Sequence, residues 1–470
     1  MENKLNHDDT TVKVIEQYQV GPPPGSVPTP TSISLSFFDV PYLCMPITCK
    51  RIFFYEFPYP KQHLLQKVLP NLKQSLSLTL KHFFPFSSKI VFPPKPQTPH
   101  ILYSEGDALT FIVAESTATN LDNLVSDTTK DVICFHSFVP MLPSPRALED
   151  GTLLIPPMAI QLTIFPNSAF AICINFSHVV VDGKGLHHFM KFWASVCGSK
   201  EKIIALPLPF LDRDMIDDPN GLKPMFLETV WNSPRERFMS LGHNVPSDDV
   251  RLTFLLRREH VDNLKNYVST ECQRHGIGTL HLSTFVVTCS LFWVCKAKLE
   301  DIKFNDDEEL YLCCWLDCRS RDIGGLEIPS TYFGNCLVNG MAAIKKSELV
   351  GQNGIFEAAV AIGSKVREMQ CEPYKCAETL KSIFSEVARV GHRMLRIAAS
   401  PKLDVYETDF GWGKPKLSEV VHIHSQLLSL SDCRDKEGGV IEVGVALERT
   451  QIHKFNTILE EELAKIVAYE

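Results

Sequence analysis

The stretch Ile160-Gln-Leu-Thr-Ile-Phe-Pro-Asn-Ser-Ala-Phe-Ala-Ile-Cys-Ile-Asn-Phe-Ser-His178-Val-Val-Val-Asp182-Gly183 carries the reading of the fold. Segments 160–165 and 170–176 are rich in β-branched and aromatic residues and read as two neighbouring strands. Pro166-Asn167 between them supplies the turn signal. Beyond Gly183, the spacing of Phe189, Phe192 and Trp193 predicts a helix over 186–196. A polar loop holding a His and an Asp thus lies between a strand end and a helix, where mixed sheets place their sites.

Outward from that stretch the same grammar continues. Arg51-Ile-Phe-Phe-Tyr-Glu-Phe reads as a strand, and 64–82 follows as a helical run. Residues 206–249 pile up Pro, Asp, Asn and Gly, including Asp217-Asp-Pro-Asn-Gly221, and read as a loop-rich crossover between two halves, 1–205 and 250–470. The second half opens with a strand at 250–256, a helix at 259–273 and an apolar helix at 282–298. An acidic surface loop at 305–309 and a strand at 310–316 follow. No internal repeat of fixed period occurs. Strands and helices mixed in both halves predict an α/β protein rather than a bundle or a sandwich.

Composition narrows the function classes. The chain has 470 residues, 44% of them hydrophobic, enough for two or three domains with sizeable cores. Forty-seven Lys+Arg against 55 Asp+Glu leave a formal charge of −8, which argues against sequence-independent nucleic-acid binding. A local basic groove for one anionic ligand stays compatible with that charge. The polar, acidic start has no apolar leader core, and the longest nearly apolar stretch, 283–295, is too short for a membrane span. A cytoplasmic protein is expected. Fifteen cysteines form no CxxC pair and lack zinc-site spacing with His, so they read as reduced, mostly buried residues with no metal.

The common catalytic signatures are missing: no GxSxG, HExxH, Walker A loop or GxGxxG is present, and Gly276-Ile-Gly278 lacks the third glycine. What remains is His178-Val-Val-Val-Asp182-Gly183. With 16 His and 25 Asp, about one HxxxD is expected by chance, and alone it reads as a core histidine beside a turn aspartate. Near the C-terminus stands Asp409-Phe-Gly411-Trp412-Gly413, whose two glycines around a Trp read as a tight turn.

Together, in this order, the two motifs resemble the plant BAHD family of acyl-CoA-dependent acyltransferases. Further stretches fit across nearly the whole chain: Ser34-Leu-Ser-Phe-Phe-Asp39, Leu80-Lys-His-Phe-Phe-Pro-Phe86, Asp317-Cys-Arg-Ser-Arg321 and Tyr332-Phe-Gly-Asn-Cys336. The last two resemble the branch that acts on anthocyanins, flavonoids and other phenolic glycosides.

The resemblance implies a two-domain, chloramphenicol acetyltransferase-like fold, each domain a mixed sheet flanked by helices, with an active-site channel between them. It implies His178 as general base on a sugar hydroxyl. Asp182 becomes structural support, paired with Arg319 or, as second choice, Arg321. Gly183 suits the turn into the helix, and Asp409, Gly411, Trp412 and Gly413 support the site from a distance. Acyl-CoA is the co-substrate, with no permanently bound cofactor, and a monomer acting on a phenolic glycoside is implied.

Relatives often carry a hydroxyl about a dozen residues before the DFGWG motif. Ser400 is the candidate here, with backbone N–H groups as the default oxyanion donors. The apolar Leu186, where malonyl-using relatives can carry Arg, favours a hydroxycinnamoyl donor; Lys184 keeps a malonyl donor open. A non-catalytic acyl-carrier or partner-binding member of the fold is the alternative of a different class, opposed by the presence of both His178 and Asp182.

Overall fold

The protein is described here by a computed structural model covering residues 12–44, 47–116, 124–126, 129–198, 206–238, 249–278, 280, 282–300, 303, 305–323, 326–378, 389–434 and 439–469. The N-terminal residues read above for a leader, and 239–248 of the crossover, lie outside the described residues.

The two apolar runs form antiparallel strands Met158–Phe165 and Ala169–Ser177, paired from Met158 opposite Phe176 to Phe165 opposite Ala169. The chain reverses through Asn167, whose φ of 61° is the left-handed conformation that Asn tolerates. On one side, Met158–Phe165 pairs in parallel with Leu109–Ser116, which pairs antiparallel with Val12–Val20. On the other, Ala169–Ser177 pairs antiparallel with Thr48–Glu56, and that strand with Leu417–Val420. Every residue of both hairpin strands is buried. A sheet covered on both faces explains why these strands read as continuous apolar runs instead of alternating ones.

Phe135 and Phe138 cover one face, packing with Ile52, Phe54, Phe165 and Cys173. On the other, Phe53 meets the ring of His187 at 6.0 Å, and Tyr55 meets Phe410 at 5.8 Å. Helix Gly183–Gly198 packs with helix Leu69–Leu80, tied by the indole N–H of Trp193 donating to Leu72 O at 3.2 Å and Ser75 Oγ at 3.1 Å. The helical run expected over 64–82 is not uniform: a π turn, Leu64–Val68, precedes Leu69–Leu80. Pro70 explains it, since its ring crowds the carbonyl four residues back and it has no N–H to donate there.

The chain divides into two compact units, but not at linear boundaries. The first comprises Met1–Pro246, Ile328–Cys336 and Asp404–His422; the second comprises Ser247–Glu327, Leu337–Leu403 and Ile423–Glu470. These units do not coincide with the linear halves 1–205 and 250–470 read from the sequence. The stretches holding Tyr332–Cys336 and Asp409–Gly413 belong with the first unit, where Leu417–Val420 satisfies the free edge of Thr48–Glu56.

The crossover is also less irregular than expected, because it contains helix Leu222–Trp231. Leu222, Phe226, Leu227 and Val230 bury one helical face, and the Asp218 carboxylate accepts the N–H groups of Leu222 and Lys223 at 2.7 and 2.8 Å. The Asp-Asp-Pro-Asn-Gly run that reads as a turn is thus a helix start, and Pro224 is tolerated because it lies in the first turn.

In the second unit, Leu337–Lys345, Glu309–Asp317, Met394–Ala398, Leu427–Ser431, Gly439–Leu447 and Val250–Arg257 lie side by side in that order as a mixed sheet. Helix Thr284–Leu299 is buried nearly all round, as its apolar composition requires, and packs between Gly354–Cys371 and Ile452–Val467. Ser283 caps it, Oγ accepting the Val286 N–H at 3.2 Å. Each unit thus holds a mixed sheet flanked by helices, as the family resemblance implies, and the first also carries a five-stranded antiparallel sheet.

Candidate active site

Strand Ala169–Ser177 delivers the chain to His178, whose N–H donates to Ile47 O at 3.0 Å. Val179, Val180 and Val181 are buried, which anchors the loop between strand and helix in the core. Asp182 closes it. Its side chain is fully buried, Oδ1 accepting the N–H of Gly185 at 3.1 Å and Oδ2 that of Cys336 at 3.0 Å. Asp182 therefore caps helix Gly183–Gly198 and ties it to the 332–336 stretch. The close approach falls at Gly185, where an added Cβ would lie 2.0 Å from Val181 Cγ2. Gly183, which from the sequence suits the turn into the helix, is its first residue.

The partner of the His178 ring is Asn335, not Asp182. Nδ1 lies 2.9 Å from Asn335 Oδ1. The Asn335 amide nitrogen donates to Asp39 Oδ1 and His178 O, each at 2.8 Å, and its backbone N–H donates to Asp39 Oδ1 at 2.9 Å. Tyr42 stacks on the imidazole with ring centres 3.9 Å apart and planes 13° apart, fixing the ring plane. His178 is half-buried. Its enclosure lowers its pKa from the ordinary imidazole value; the charges of Asp182 and Asp39 and the bond to Asn335 oppose that shift without cancelling it.

The Asp409–Gly413 stretch is a self-closed turn. Asp409 Oδ1 accepts the N–H groups of Gly411 and Gly413 at 2.7 and 3.0 Å, and both glycines have φ near the value Gly alone adopts easily, 98° and 100°. Phe410 packs edge-on against Trp193 at 4.9 Å, and Trp412 edge-on against Phe170 at 5.6 Å. The turn thereby rests on helix Gly183–Gly198, the helix that Asp182 caps.

A family model described as Transferase family matches residues 10–462. The chain belongs to this family, the BAHD acyltransferases. The transferase is 38% identical over 96% of its length, and 98% of the relative's, to a coumaroyl-CoA:anthocyanidin 3-O-glucoside-6''-O-coumaroyltransferase of Arabidopsis thaliana. It is 33% identical, over 97% of its own length and 98% of the relative's, to a malonyl-coenzyme A:anthocyanin 3-O-glucoside-6''-O-malonyltransferase of Dahlia pinnata. Among solved structures, vinorine synthase shares the fold with a TM-score of 0.67 at 17% identity, covering 97% of this chain and 98% of that one. The protein is therefore an enzyme, an acyltransferase.

The remaining candidates of the transferase are spread over both units. Arg319 is buried in the second unit, its guanidinium 2.8 Å from Asp317 Oδ1, and Arg321 donates to Asp317 O at 2.9 Å. Ser400 is half-buried, and its Oγ accepts the Lys402 N–H at 3.2 Å. Leu186 is 3% exposed on helix Gly183–Gly198, and Lys184 is half-buried in its first turn. Among the described residues no cluster of three or more His, Cys, Asp or Glu could hold a metal ion, and no helix is long and apolar enough to cross a membrane. The fifteen cysteines are free thiols, and burial pushes that of Cys49 up to about 12.

Four residues around His178 were not singled out from the sequence: Asn335, Asp39, Tyr42 and Arg213. Two of them stood inside quoted stretches, Asp39 ending Ser34–Asp39 and Asn335 in Tyr332–Cys336. Those stretches were read for likeness alone. An Asn whose amide is tied to residues far away in sequence carries no local sequence pattern.

Proposed function

We propose that the transferase moves an acyl group from an acyl-CoA thioester to a sugar hydroxyl of an anthocyanin or related phenolic glycoside, with His178 Nε2 as general base. The observation that carries the proposal is the bond between His178 Nδ1 and Asn335. With Nδ1 engaged as donor, Nε2 keeps its lone pair and can take the hydroxyl proton as the oxygen attacks the thioester carbonyl. An alcohol with a pKa near roughly 15 needs such help, whereas the thioester is already activated, so no acyl-enzyme is required. The tetrahedral oxyanion collapses, the C–S bond breaks, and the proton passes from Nε2 to the departing CoA sulfur.

The depressed pKa keeps the base ready. The expected pH–rate profile falls on the acid side with an inflection below about 6.5. As pH drops through the lowered pKa, the imidazole gains a proton and loses its lone pair. A profile whose acid limb turns above that value would contradict an enclosed neutral ring.

The donor we favour is a hydroxycinnamoyl-CoA. Support comes from the apolar Leu186, which leaves no arginine there for a malonyl carboxylate, and from the 38% identity to a coumaroyltransferase against 33% to a malonyltransferase. With one anthocyanidin glucoside as acceptor, p-coumaroyl-CoA or caffeoyl-CoA is expected to show a higher kcat/KM than malonyl-CoA. Mass spectrometry of the products from a donor panel tests this. A preference for malonyl-CoA of about tenfold or more would overturn the donor assignment and point to Lys184 as carboxylate partner.

Pairing of Asp182 with Arg319, and contact of Ser400 with the acyl end, rest on the family resemblance. So do a monomeric, cytoplasmic enzyme and the lack of a permanently bound cofactor. A double-mutant cycle on Asp182 and Arg319 is the test of the pairing.

A further inference from the structure

Behind the His178–Asn335 pair lies a buried chain of polar groups. Asp39 and Asn335 are fully buried, and the Arg213 side chain is 1% exposed. Asp39 Oδ1 takes both Asn335 donors. Oδ2 accepts the N–H and the hydroxyl of Ser36, each at 2.8 Å, and lies 3.0 Å from Arg213 Nη1. Arg213 Nη2 donates to Val180 O at 2.6 Å, inside the loop between His178 and Asp182, and reaches Phe333 O at 3.4 Å.

This arrangement decides which way the Asn335 amide points. Its nitrogen faces a carboxylate oxygen and the carbonyl of His178, groups that only accept. Turned over, Oδ1 would meet those acceptors with no proton between them, and the NH₂ group would face Nδ1 instead. In the orientation held by Asp39, Oδ1 faces the ring, and an amide oxygen can only accept. His178 Nδ1 must then carry the hydrogen.

We infer that Asp39 and Arg213 are positioning residues that set the tautomer of His178 through Asn335. Asp39 locks the amide, Arg213 holds the Asp39 charge and braces the catalytic loop at Val180, and the imidazole is left with its lone pair on Nε2. This rests on the reading of Nε2 as the base. The tautomer can be observed without turnover, so failure of the inference and failure of that reading are separate results.

The test is ¹⁵N-histidine NMR of the full chain at a pH above the His178 titration, with the His178→Ala spectrum assigning the signal. The wild-type ring is expected to be protonated at Nδ1 and bare at Nε2. Asp39→Asn removes the charge and lets both amides turn. An Nε2-protonated component should appear and kcat should fall by about tenfold or more, with KM for acyl-CoA within about twofold, because a wrong tautomer blocks proton transfer and not binding. Arg213→Lys, which keeps the positive charge, should keep the Nδ1-protonated form.

A wild-type ring protonated at Nε2 would overturn the inference outright, whether or not either variant folds. So would an Asp39→Asn enzyme whose kcat falls while its ring stays wholly Nδ1-protonated, since Asp39 would then be acting on stability alone.

Discussion

His178→Ala is expected to lower kcat with acyl-CoA and a phenolic glucoside by roughly 10²–10⁴, the range for loss of a positioned general base. In activation free energy that is about 3–5 kcal/mol. The fold should survive, because the imidazole is half-buried and is tied by one bond to Asn335 and stacking on Tyr42, while the loop itself is held by buried valines. KM for acyl-CoA should change little, since the base acts in the transition state. Near-native turnover in a correctly folded variant would remove His178 from the mechanism.

Asp182→Ala is expected to fail differently. The carboxylate is fully buried and satisfies two backbone N–H groups, those of Gly185 and Cys336. Truncation leaves both without their acceptor, at about 1–3 kcal/mol each, and removes a helix cap. The expected thermal midpoint falls on the order of 5–10 °C, and activity falls with it because the His178 loop loses its anchor. Asp182→Asn keeps one acceptor oxygen and should lie between the two. An Asp182→Ala enzyme as stable as wild type but inactive would place Asp182 in the chemistry itself.

The contrast between these residues shows how far the sequence could be read. His178 and Asp182 were legible because they share one loop between a strand and a helix, each strongly patterned: 160–165 and 170–176 by β-branched and aromatic residues, 186–196 by helical spacing. The apolar helix at 284–299 was legible for the same reason, and its Ser283 cap sits one residue outside it. Local pattern carries local structure.

It does not carry contacts between distant segments. Asn335 is 157 positions from His178, and Asp39 is 296 from Asn335; only folding brings them within hydrogen-bond reach. Arg213 sits in a stretch whose Pro and Asp content reads as loop, yet it is among the most buried charges in the first unit. The helix at 222–231 was hidden by the same composition, because its capping Asp218 and first-turn Pro224 are also turn residues. The division of the chain into units followed strand pairing instead of sequence order, so Leu417–Val420 could not be assigned from its own residues.

The central claim is direct transfer of an acyl group from CoA to a glucoside hydroxyl. It is tested most directly by following free CoA thiol and acylated glucoside together in one reaction of p-coumaroyl-CoA with an anthocyanidin 3-glucoside. The account predicts equal amounts of the two products, and almost no CoA release when the glucoside is left out. CoA release that is indifferent to the acceptor would make the protein a thioester hydrolase, and no release with any acyl-CoA would make it a binder; either result contradicts the account.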